Sequence, residues 1–319
     1  MLDSTSLSTE KTNMALQYIP ELKADLYTQG SDIIDLDIAG NYFANFSLNN
    51  LKDLSDKSVL KLYRAHVRYA NNQFEARMGL QKINFGQAKI IRPLQWFDSL
   101  DPFDPLNRTD GVKGFLSRYF FLDNANIWGW ALYDNDLKGL ETTKTRHSSP
   151  EYGARYQFPI PSGEYAFTFH TRSLESASPM QEYRYAMDGY WDAVVGLWFE
   201  GTIVDIRKDN ALSSSSKYFT IGVDYTFDIG LGLYTLVEHY RGWFNGNTTS
   251  LTNLANATAI SLNLPIGLID SLNCIFVIAD NQTIYRAGWR TTYDDFLIDL
   301  GIYNFAKDKG LQLIMSYNY

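Results

Sequence analysis

Charged side chains recur at every second position in three neighbouring segments near the start of the chain, and at every fourth position in one segment near its end. The residues are Asp35, Asp37, Arg64, His66, Arg68, Glu75, Arg77, Arg286 and Arg290. Because a β-strand directs alternate side chains to opposite faces, each set shares one face of its strand. Charges of both signs on adjacent strands can brace a wall, or they can set a field that orients polar solutes and selects ions. Both interpretations require strands whose polar faces line one interior.

The segment 84–112 is a second place where charged residues could act together. It is too long and too apolar for a plain exposed loop, and loops beyond about 12–15 residues are usually functional or disordered. Its aromatic residues argue against disorder. We predict that it folds inward as a constriction, which would bury its rings and aim its aspartates at the arginines of the wall. An outward cap or a docking loop is the alternative. The residues assigned to the constriction are Trp96, Asp98, Asp101, Asp104, Arg108 and Asp110.

The reactive residue types show none of the spacings of a metal site or a common catalytic motif. The four histidines lack metal-ligand spacing, and the aspartates of the segment 84–112 do not match an EF-hand loop. A single cysteine, Cys274, excludes an internal disulfide. The sequence therefore predicts no metal, no cofactor and no enzymatic activity. A barrel enzyme with a Ser/His pair at its rim is the alternative.

The elements that must position these residues are strands, because apolar and polar residues alternate through most of the chain. The longest clean apolar runs, such as 274–279, fall far short of the ~20 residues of a membrane-spanning helix. Aromatic residues make up 15% of the chain, which is typical of barrels with aromatic girdles. The apolar faces often run for about 9–13 residues, whereas strands of soluble proteins average ~5–6. A membrane barrel is favoured over a soluble all-β protein.

About 17 candidate strands can be counted, of which 21–29 and 182–189 are the weakest. We predict an all-β chain folded as a transmembrane antiparallel up-and-down β-barrel of about 16 strands, within a range of 14–18. Residues 1–13 are assigned to a flexible polar segment, and residues 14–319 to a single barrel domain. From residue 113 onward, short and long connections mostly alternate, as expected for tight turns at one end and longer loops at the other.

In this pattern the chain resembles porin-like β-barrels of Gram-negative outer membranes over residues ~20–319. The last strand is similar to the assembly signal of that class, because it ends in Tyr317, Asn318 and Tyr319 after the polar Gln312. It departs from the signal at Ile314, where a glycine is usual. The stretch 77–88 is similar to a strand-to-loop segment that precedes a long loop in several porin-like families.

The resemblance implies a channel for small hydrophilic solutes in the cell outer membrane, in contact with lipid and lipopolysaccharide. The alternating charged residues would line the pore, and the segment 84–112 would narrow it. The alternative is a sealed structural or accessory barrel with protein partners in a larger outer-membrane complex. Residues 1–6 have neither the basic nor the apolar region of a signal peptide, so the chain would be a mature form. The net charge of −8 argues against a nucleic-acid partner.

Overall fold

The computed structural model describes residues 13–47, 58–139, 141–245, 255–280, 282–305 and 308–318. These residues form eighteen β-strands and contain no helix. The strands are β1 (Asn13–Tyr18), β2 (Glu21–Gln29), β3 (Asp32–Ser47), β4 (Ser58–Ala70), β5 (Phe74–Gln81), β6 (Val112–Phe120), β7 (Asn126–Leu132), β8 (Glu151–Ile160), β9 (Gly163–Leu174), β10 (Met180–Asp192), β11 (Gly196–Lys208), β12 (Ala211–Phe227), β13 (Leu233–Asn245), β14 (Asn256–Pro265), β15 (Asp270–Ala279), β16 (Gln282–Tyr293), β17 (Phe296–Phe305) and β18 (Asp308–Tyr317).

The strands form one antiparallel up-and-down sheet, in which each strand from β2 to β17 pairs with the next along the chain. Strands β1 and β2 lie end to end along β3. Between them the carbonyl of Pro20 accepts a hydrogen bond of 3.0 Å from the amide of Gly40. Within the described residues the sheet does not close.

This architecture confirms the predicted all-β, antiparallel up-and-down fold. The described part has 18 strands, which lies within the range of 14–18 but above the 16 that we favoured. The two weakest candidates, 21–29 and 182–189, are both strands and correspond to β2 and β10. The predicted polar segment 1–13 lies outside the described residues except for Asn13, and so does the terminal Tyr319. No helix in the described part of the chain is long and apolar enough to cross a membrane.

The two ends of the sheet differ in the length of their connections. At one end, which we call the turn end, each connection between consecutive strands has two to five residues. The first of these connections is 30–31 and the last is 294–295. At the other, the loop end, the longest described connections are 82–111 and 133–150, the latter without residue 140. The loop end also has tight turns. Asp209 and Asn210 join β11 to β12 with positive φ angles of 50° and 65°, the signature of a two-residue hairpin.

The outward face of the sheet carries exposed apolar side chains and the inward face carries buried charges, which is the reverse of a soluble protein. On β18 the outward residues Leu311, Leu313 and Met315 are 76%, 60% and 69% exposed. On β11 and β13 the inward residues Glu200 and Glu238 are fully buried. Apolar side chains outside and buried charges inside are what a lipid surround demands, since lipid accepts apolar surface and excludes charge.

Large inward rings on one strand are accommodated by glycines on the next. A Cβ atom on Gly222 of β12 would lie 2.2 Å from the indole ring of Trp198 on β11, and one on Gly153 of β8 would lie 2.4 Å from the ring of Trp130 on β7. Both tryptophans are buried. The indole of Trp198 therefore lies flat on the backbone of the next strand, with its Nε1 directed to Glu238.

This contact predicts that Gly222→Ala lowers the free energy of unfolding by about 1–3 kcal/mol, the usual effect of overpacking. Gly201→Ala is the matched control, because its Cβ would meet its nearest atom, in the Phe219 ring, at an ordinary 3.5 Å. Guanidinium titration of the detergent-refolded protein measures both variants. Equal destabilisation by the two substitutions would contradict the packing described for Trp198.

Candidate functional site

The inserted segment, residues 82–111, joins β5 to β6 and lies against the inward faces of strands across the sheet. It corresponds to the predicted segment 84–112, with Val112 as the first residue of β6. Its irregular backbone forms few hydrogen bonds with itself, so its amide groups need acceptors from the wall. Two wall carboxylates, Glu200 on β11 and Glu238 on β13, supply them.

Glu200 holds the segment at two points. Its Oε1 accepts the amide of Ala88 at 2.8 Å, and its Oε2 accepts the amide of Leu94 at 3.1 Å. The approach requires a glycine at position 86, since a Cβ there would lie 2.2 Å from Oε1 of Glu200. Gly86 also has a φ of 98°, which disfavours other residues.

Glu238 holds three consecutive amides. Its Oε1 accepts from Lys89 at 2.6 Å, and its Oε2 accepts from Ile90 at 3.0 Å and Ile91 at 2.8 Å. The indole Nε1 of Trp198 donates to the same carboxylate at 3.0 Å. Charge-assisted hydrogen bonds of this kind are about twice as strong as neutral ones. Residues 88–94 are therefore fixed against β11–β13 by the carboxylates of Glu200 and Glu238, the carboxylate clamp.

On the other side, the inserted segment packs into an aromatic and aliphatic core against β6, β7 and β10. Phe85 and Phe97 lie edge to face at 5.7 Å, and Phe97 contacts Trp130 at 5.5 Å. The ring of Trp96 lies 5.8 Å from Phe85. The buried members of this core are Ile83, Phe85, Leu94, Trp96, Phe97, Val112, Leu116, Trp130, Leu132 and Ala186. These side chains fill the interior beside β6–β10, which we call the filled side.

Buried ion pairs complete the filled side on β8–β10. The guanidinium of Arg155 pairs with Asp188 at 2.6 Å, and that of Arg172 pairs with Glu182 at 2.7 Å. Glu141, from the connection 133–150, reaches inward to Arg172 at 3.2 Å and Arg184 at 2.6 Å. Buried charges are tolerated only when they are paired in this way. These residues therefore brace the wall.

Four of the predicted charges of β3–β5, Asp35, Arg68, Glu75 and Arg77, come together in one network beside the filled side. Arg68 pairs with Asp35 at 2.6 Å. Glu75 lies 3.5 Å from Arg68, 3.1 Å from Arg77 and 3.6 Å from Arg118 of β6. Arg118, which the sequence analysis did not single out, also stacks at 3.7 Å over the ring of Trp128.

The other predicted wall residues have separate surroundings. Arg286 and Arg290 of β16 both pair with the carboxylate of Asp299 on β17. The distance from Nε of Arg290 to Oδ2 of Asp299 is 3.1 Å. Arg64 lies over the ring of Tyr63 and donates to the carbonyl of Thr109 in the inserted segment at 2.9 Å. Asp37 and His66 are not drawn into these ion pairs, and they are register partners on β3 and β4.

The aspartates of the inserted segment do not face the arginines of β4 and β5, so that expectation is wrong for the described residues. Asp98 is buried and pairs with Arg92 of the same segment at 2.9 Å. Asp104 pairs with Arg108 at 2.8 Å, and Asp110 pairs with Lys61 at 2.8 Å and Lys138 at 3.4 Å. Asp101 is exposed and accepts from the amide of Phe103 at 2.9 Å. Asp98, Asp101 and Asp104 are thus satisfied within the segment, whereas Asp110 pairs with lysines outside it.

Two of these aspartates titrate below the ordinary range. Burial alone would raise the pKa of Asp104, but hydrogen bonds from the Arg108 side chain and the backbone outweigh it and lower the pKa. Burial likewise opposes the lowered pKa of Asp110, which follows from its hydrogen bond with Lys61 and the charge of Lys138. Both carboxylates are therefore charged at neutral pH and tie the segment to its surroundings.

Water reaches the two sides of the interior unequally. The side chains of Arg68, Arg290 and Arg77 are 33%, 29% and 23% exposed. Those of Arg155 and Arg172 on the filled side are 1% and 2% exposed. We call the interior bordered by β3–β5 and β16–β17 the open side. The predicted wall charges that water reaches most readily lie there.

The residues that sequence reasoning missed are the clamp carboxylates, Arg118 and Asp299. Each occupies a polar-face position of an alternating strand, so their inward direction could have been inferred from the alternation. Their partners could not, because Glu200 and Glu238 lie 112 and 149 residues from the amides they hold. Among the described residues, no group of three or more His, Cys, Asp or Glu could hold a metal ion.

This fold and interior define a porin-like β-barrel architecture. The chain is similar in structure to Pseudomonas aeruginosa OpdQ, at 9% identity and a TM-score of 0.62, over 96% of this chain and 92% of that one. It is also similar to Acinetobacter baumannii OccAB4, at 10% identity and a TM-score of 0.60, over 99% of this chain and 93% of that one. The outer membrane protein OpdK of Pseudomonas aeruginosa is 13% identical, with a TM-score of 0.57, over 95% of this chain and 92% of that one. No family model and no curated protein matches the chain. The predicted resemblance to outer-membrane porins is confirmed as a likeness of fold.

The pairing of Asp110 predicts a pH-dependent anchor for the far end of the inserted segment. Because its pKa is lower in the folded than in the unfolded chain, the stability it contributes is present above the ordinary carboxyl value and is lost as the pH falls through the folded pKa. Asp110→Asn is expected to increase hydrogen exchange of residues 99–111 at pH 7. The difference from the unsubstituted protein should shrink as the pH is lowered below about 4.

Hydrogen-exchange mass spectrometry at matched pH measures this anchor. Asp136→Asn is the control, because Asp136 is 80% exposed and faces Lys144 outside the interior. A pH-independent difference for Asp110→Asn, or an equal effect of Asp136→Asn, would contradict the anchoring role.

Proposed function

We propose that this chain is an outer-membrane channel that passes small hydrophilic solutes through the open side of its interior. The observation that carries the proposal is the unequal exposure of the interior charges. Arg68, Arg77 and Arg290 are reached by water, whereas the charges of the filled side are not. The apolar outward face and the porin-like fold support a place in the outer membrane, in contact with lipid and lipopolysaccharide.

The inserted segment is proposed as the constriction of this channel. Its stem is held by the carboxylate clamp and by the core of the filled side. Its tip reaches the far strands, where the ring of Phe103 lies 5.0 Å from Phe305 of β17 and Arg108 donates to Gln17 of β1. A chain that crosses from β13 to β17 and β1 narrows the space beside the open side. Pore radius and the field of the lining charges would then set selectivity.

The charges of the open side suit a selective lining. Asp35 and Glu75 alternate with Arg68 and Arg77 across β3–β5, and Arg290 shares Asp299 on β17. Arg118 of the adjoining β6 lies beside Glu75. The proposal needs no catalytic group, because transport is governed by radius and field.

A sealed accessory barrel is the second candidate function. The contacts of the inserted segment with β1, β4, β11, β13 and β17 favour it, since a segment held on so many sides could block the interior. Such a barrel would act through protein partners in an outer-membrane complex. Isolation from native membranes would then yield a stoichiometric partner.

Release of the inserted segment tests the channel directly. We expect the unsubstituted protein to give stepwise currents in planar bilayers. Replacing residues 95–108 by a short Gly/Ser linker, or the double substitution Glu200→Ala and Glu238→Ala, should raise the conductance about twofold or more, because conductance follows pore radius. The double substitution leaves the aromatic core intact, so the two variants disturb folding differently.

Asp224→Asn is the matched control for the clamp variant. Asp224 is an inward acid of β12 that accepts from the hydroxyl of Tyr234 at 2.7 Å and takes no part in the carboxylate clamp. Its conductance should equal that of the unsubstituted protein. If no folded form gives currents in planar bilayers, the channel proposal is refuted and the sealed barrel is favoured.

The lining is tested by ion selectivity. The triple substitution Arg68→Gln, Arg77→Gln and Arg290→Gln removes three half-buried cations that water reaches, so the reversal potential in a KCl gradient should shift toward cation preference. The shift should shrink at high ionic strength, because screening weakens the field. Lys113→Gln is the control, since Lys113 is exposed on β6 and pairs with Asp134 at 3.3 Å. An equal shift in the control would show that the open side is not the path.

A further inference from the structure

Three cations project outward at the loop end of neighbouring strands, and we call them the basic patch. They are Arg207 of β11, Lys217 of β12 and Arg241 of β13, and all three are exposed. The guanidinium of Arg207 lies 5.2 Å from the ring centre of Tyr183, and that of Arg241 lies 5.7 Å from the ring centre of Trp243. Arginine stacks on aromatic rings without using its hydrogen-bond donors, so the donors stay available.

The basic patch differs from the interior in having no counter-ion. Within the part of the chain that the structure describes, none of its three cations forms an ion pair with a carboxylate, whereas the arginines of the filled side are all paired. Two acids lie near the patch. Asp205 accepts a hydrogen bond of 2.7 Å from the hydroxyl of Ser215, and Asp209 is exposed in the turn that joins β11 to β12. The exposed His239 forms a hydrogen bond of 3.0 Å between its Nδ1 and the hydroxyl oxygen of Thr258. The surface is therefore positive.

The basic patch lies at the edge of the apolar belt. Toward the turn end of β12, the outward residues after Lys217 are Phe219, Ile221, Val223, Tyr225 and Phe227. At ~3.3 Å per residue and a tilt of ~40°, the eight steps from Phe219 to Phe227 rise about 20 Å, close to the ~25 Å apolar band of an outer-membrane barrel. Lys217 is therefore at headgroup level, and its register partner Trp243 is an interfacial aromatic residue.

The spacing suits a shared anion. Lys217 pairs in register with Trp243, so Arg241 lies two residues away on β13. Such diagonal neighbours are about 7–8 Å apart at the backbone. Two long cationic side chains at that distance can meet at one phosphate, and the guanidinium offers bidentate hydrogen bonds. Arg207 lies farther toward the loop end, where it can meet a second anionic group.

We propose that the basic patch binds the phosphate groups of an anionic membrane-lipid headgroup in the leaflet at the loop end. The lipid source follows from position, because the patch borders side chains that face acyl chains and lies away from the interior. This inference rests on the proposed membrane location, but it is independent of whether the barrel conducts. It gives the outward surface a binding function of its own.

Native mass spectrometry of the detergent-refolded protein tests the patch, with bisphosphorylated lipid A as the probe. The triple substitution Arg207→Gln, Lys217→Gln and Arg241→Gln is expected to weaken lipid A binding about tenfold or more, since each basic residue near an anionic surface contributes appreciably. The control triple Lys113→Gln, Lys144→Gln and Lys309→Gln removes the same charge elsewhere and should leave binding unchanged. Heat-modifiable migration confirms that every variant is folded.

Three results would overturn the proposal. Equal loss in both triples would show a general charge effect. Equal retention of zwitterionic phosphatidylcholine and anionic lipid A would show that the patch does not select the net negative charge of the phosphate groups. Full competition by inorganic phosphate at the concentration of lipid A would assign the patch to a free anion. A protein that fails to insert into any bilayer would instead refute the membrane location, so the two failures are distinguishable.

Discussion

The arrangement of the interior depends on two buried carboxylates that hold backbone amides. An inserted segment has neither a helical nor a sheet ladder to satisfy its N–H groups, and an unpaired buried amide costs about 1–3 kcal/mol. A carboxylate offers several lone pairs, and Glu238 uses them for three consecutive amides and the Trp198 indole. Glu200 adds two further amides. Without these acceptors, residues 88–94 would be better solvated outside the interior.

The carboxylate clamp divides the interior into two environments. With residues 88–94 fixed, Phe85, Trp96 and Phe97 meet Trp130 and close the filled side to water. Charges that remain there, such as Arg155 and Asp188, must be paired, because a lone buried charge is far more costly. On the open side, Arg68, Arg77 and Arg290 keep contact with water. The same residue types therefore brace one side, and on the other they supply the lining of the proposed channel.

Much of the fold could be predicted because strand alternation is a local signal. A period of two over residues 219–227 or 311–317 specifies a strand and its outward face without knowledge of any neighbour. Ion-pair partners are different, because they depend on register. A bulge at Ala39 and Gly40 shifts β3 against β4, and no local pattern announces it. The partner of Asp98 could not be predicted either. Its carboxylate pairs with Arg92, six residues away in the same segment, and not with an arginine of the wall.

The pairing state of the cations follows the medium around each part of the sheet. Inside protein, cations such as Arg172 and Arg184 are fully paired, because the low dielectric penalises any that are not. Along the lipid-facing belt of β12 and β18, the outward side chains are apolar. At the loop end of β11–β13, Arg207, Lys217 and Arg241 are exposed and form no ion pair with a carboxylate of the described ranges. An unpaired cation is stable only where water or an external anion solvates it, so the basic patch marks the level at which the apolar medium ends.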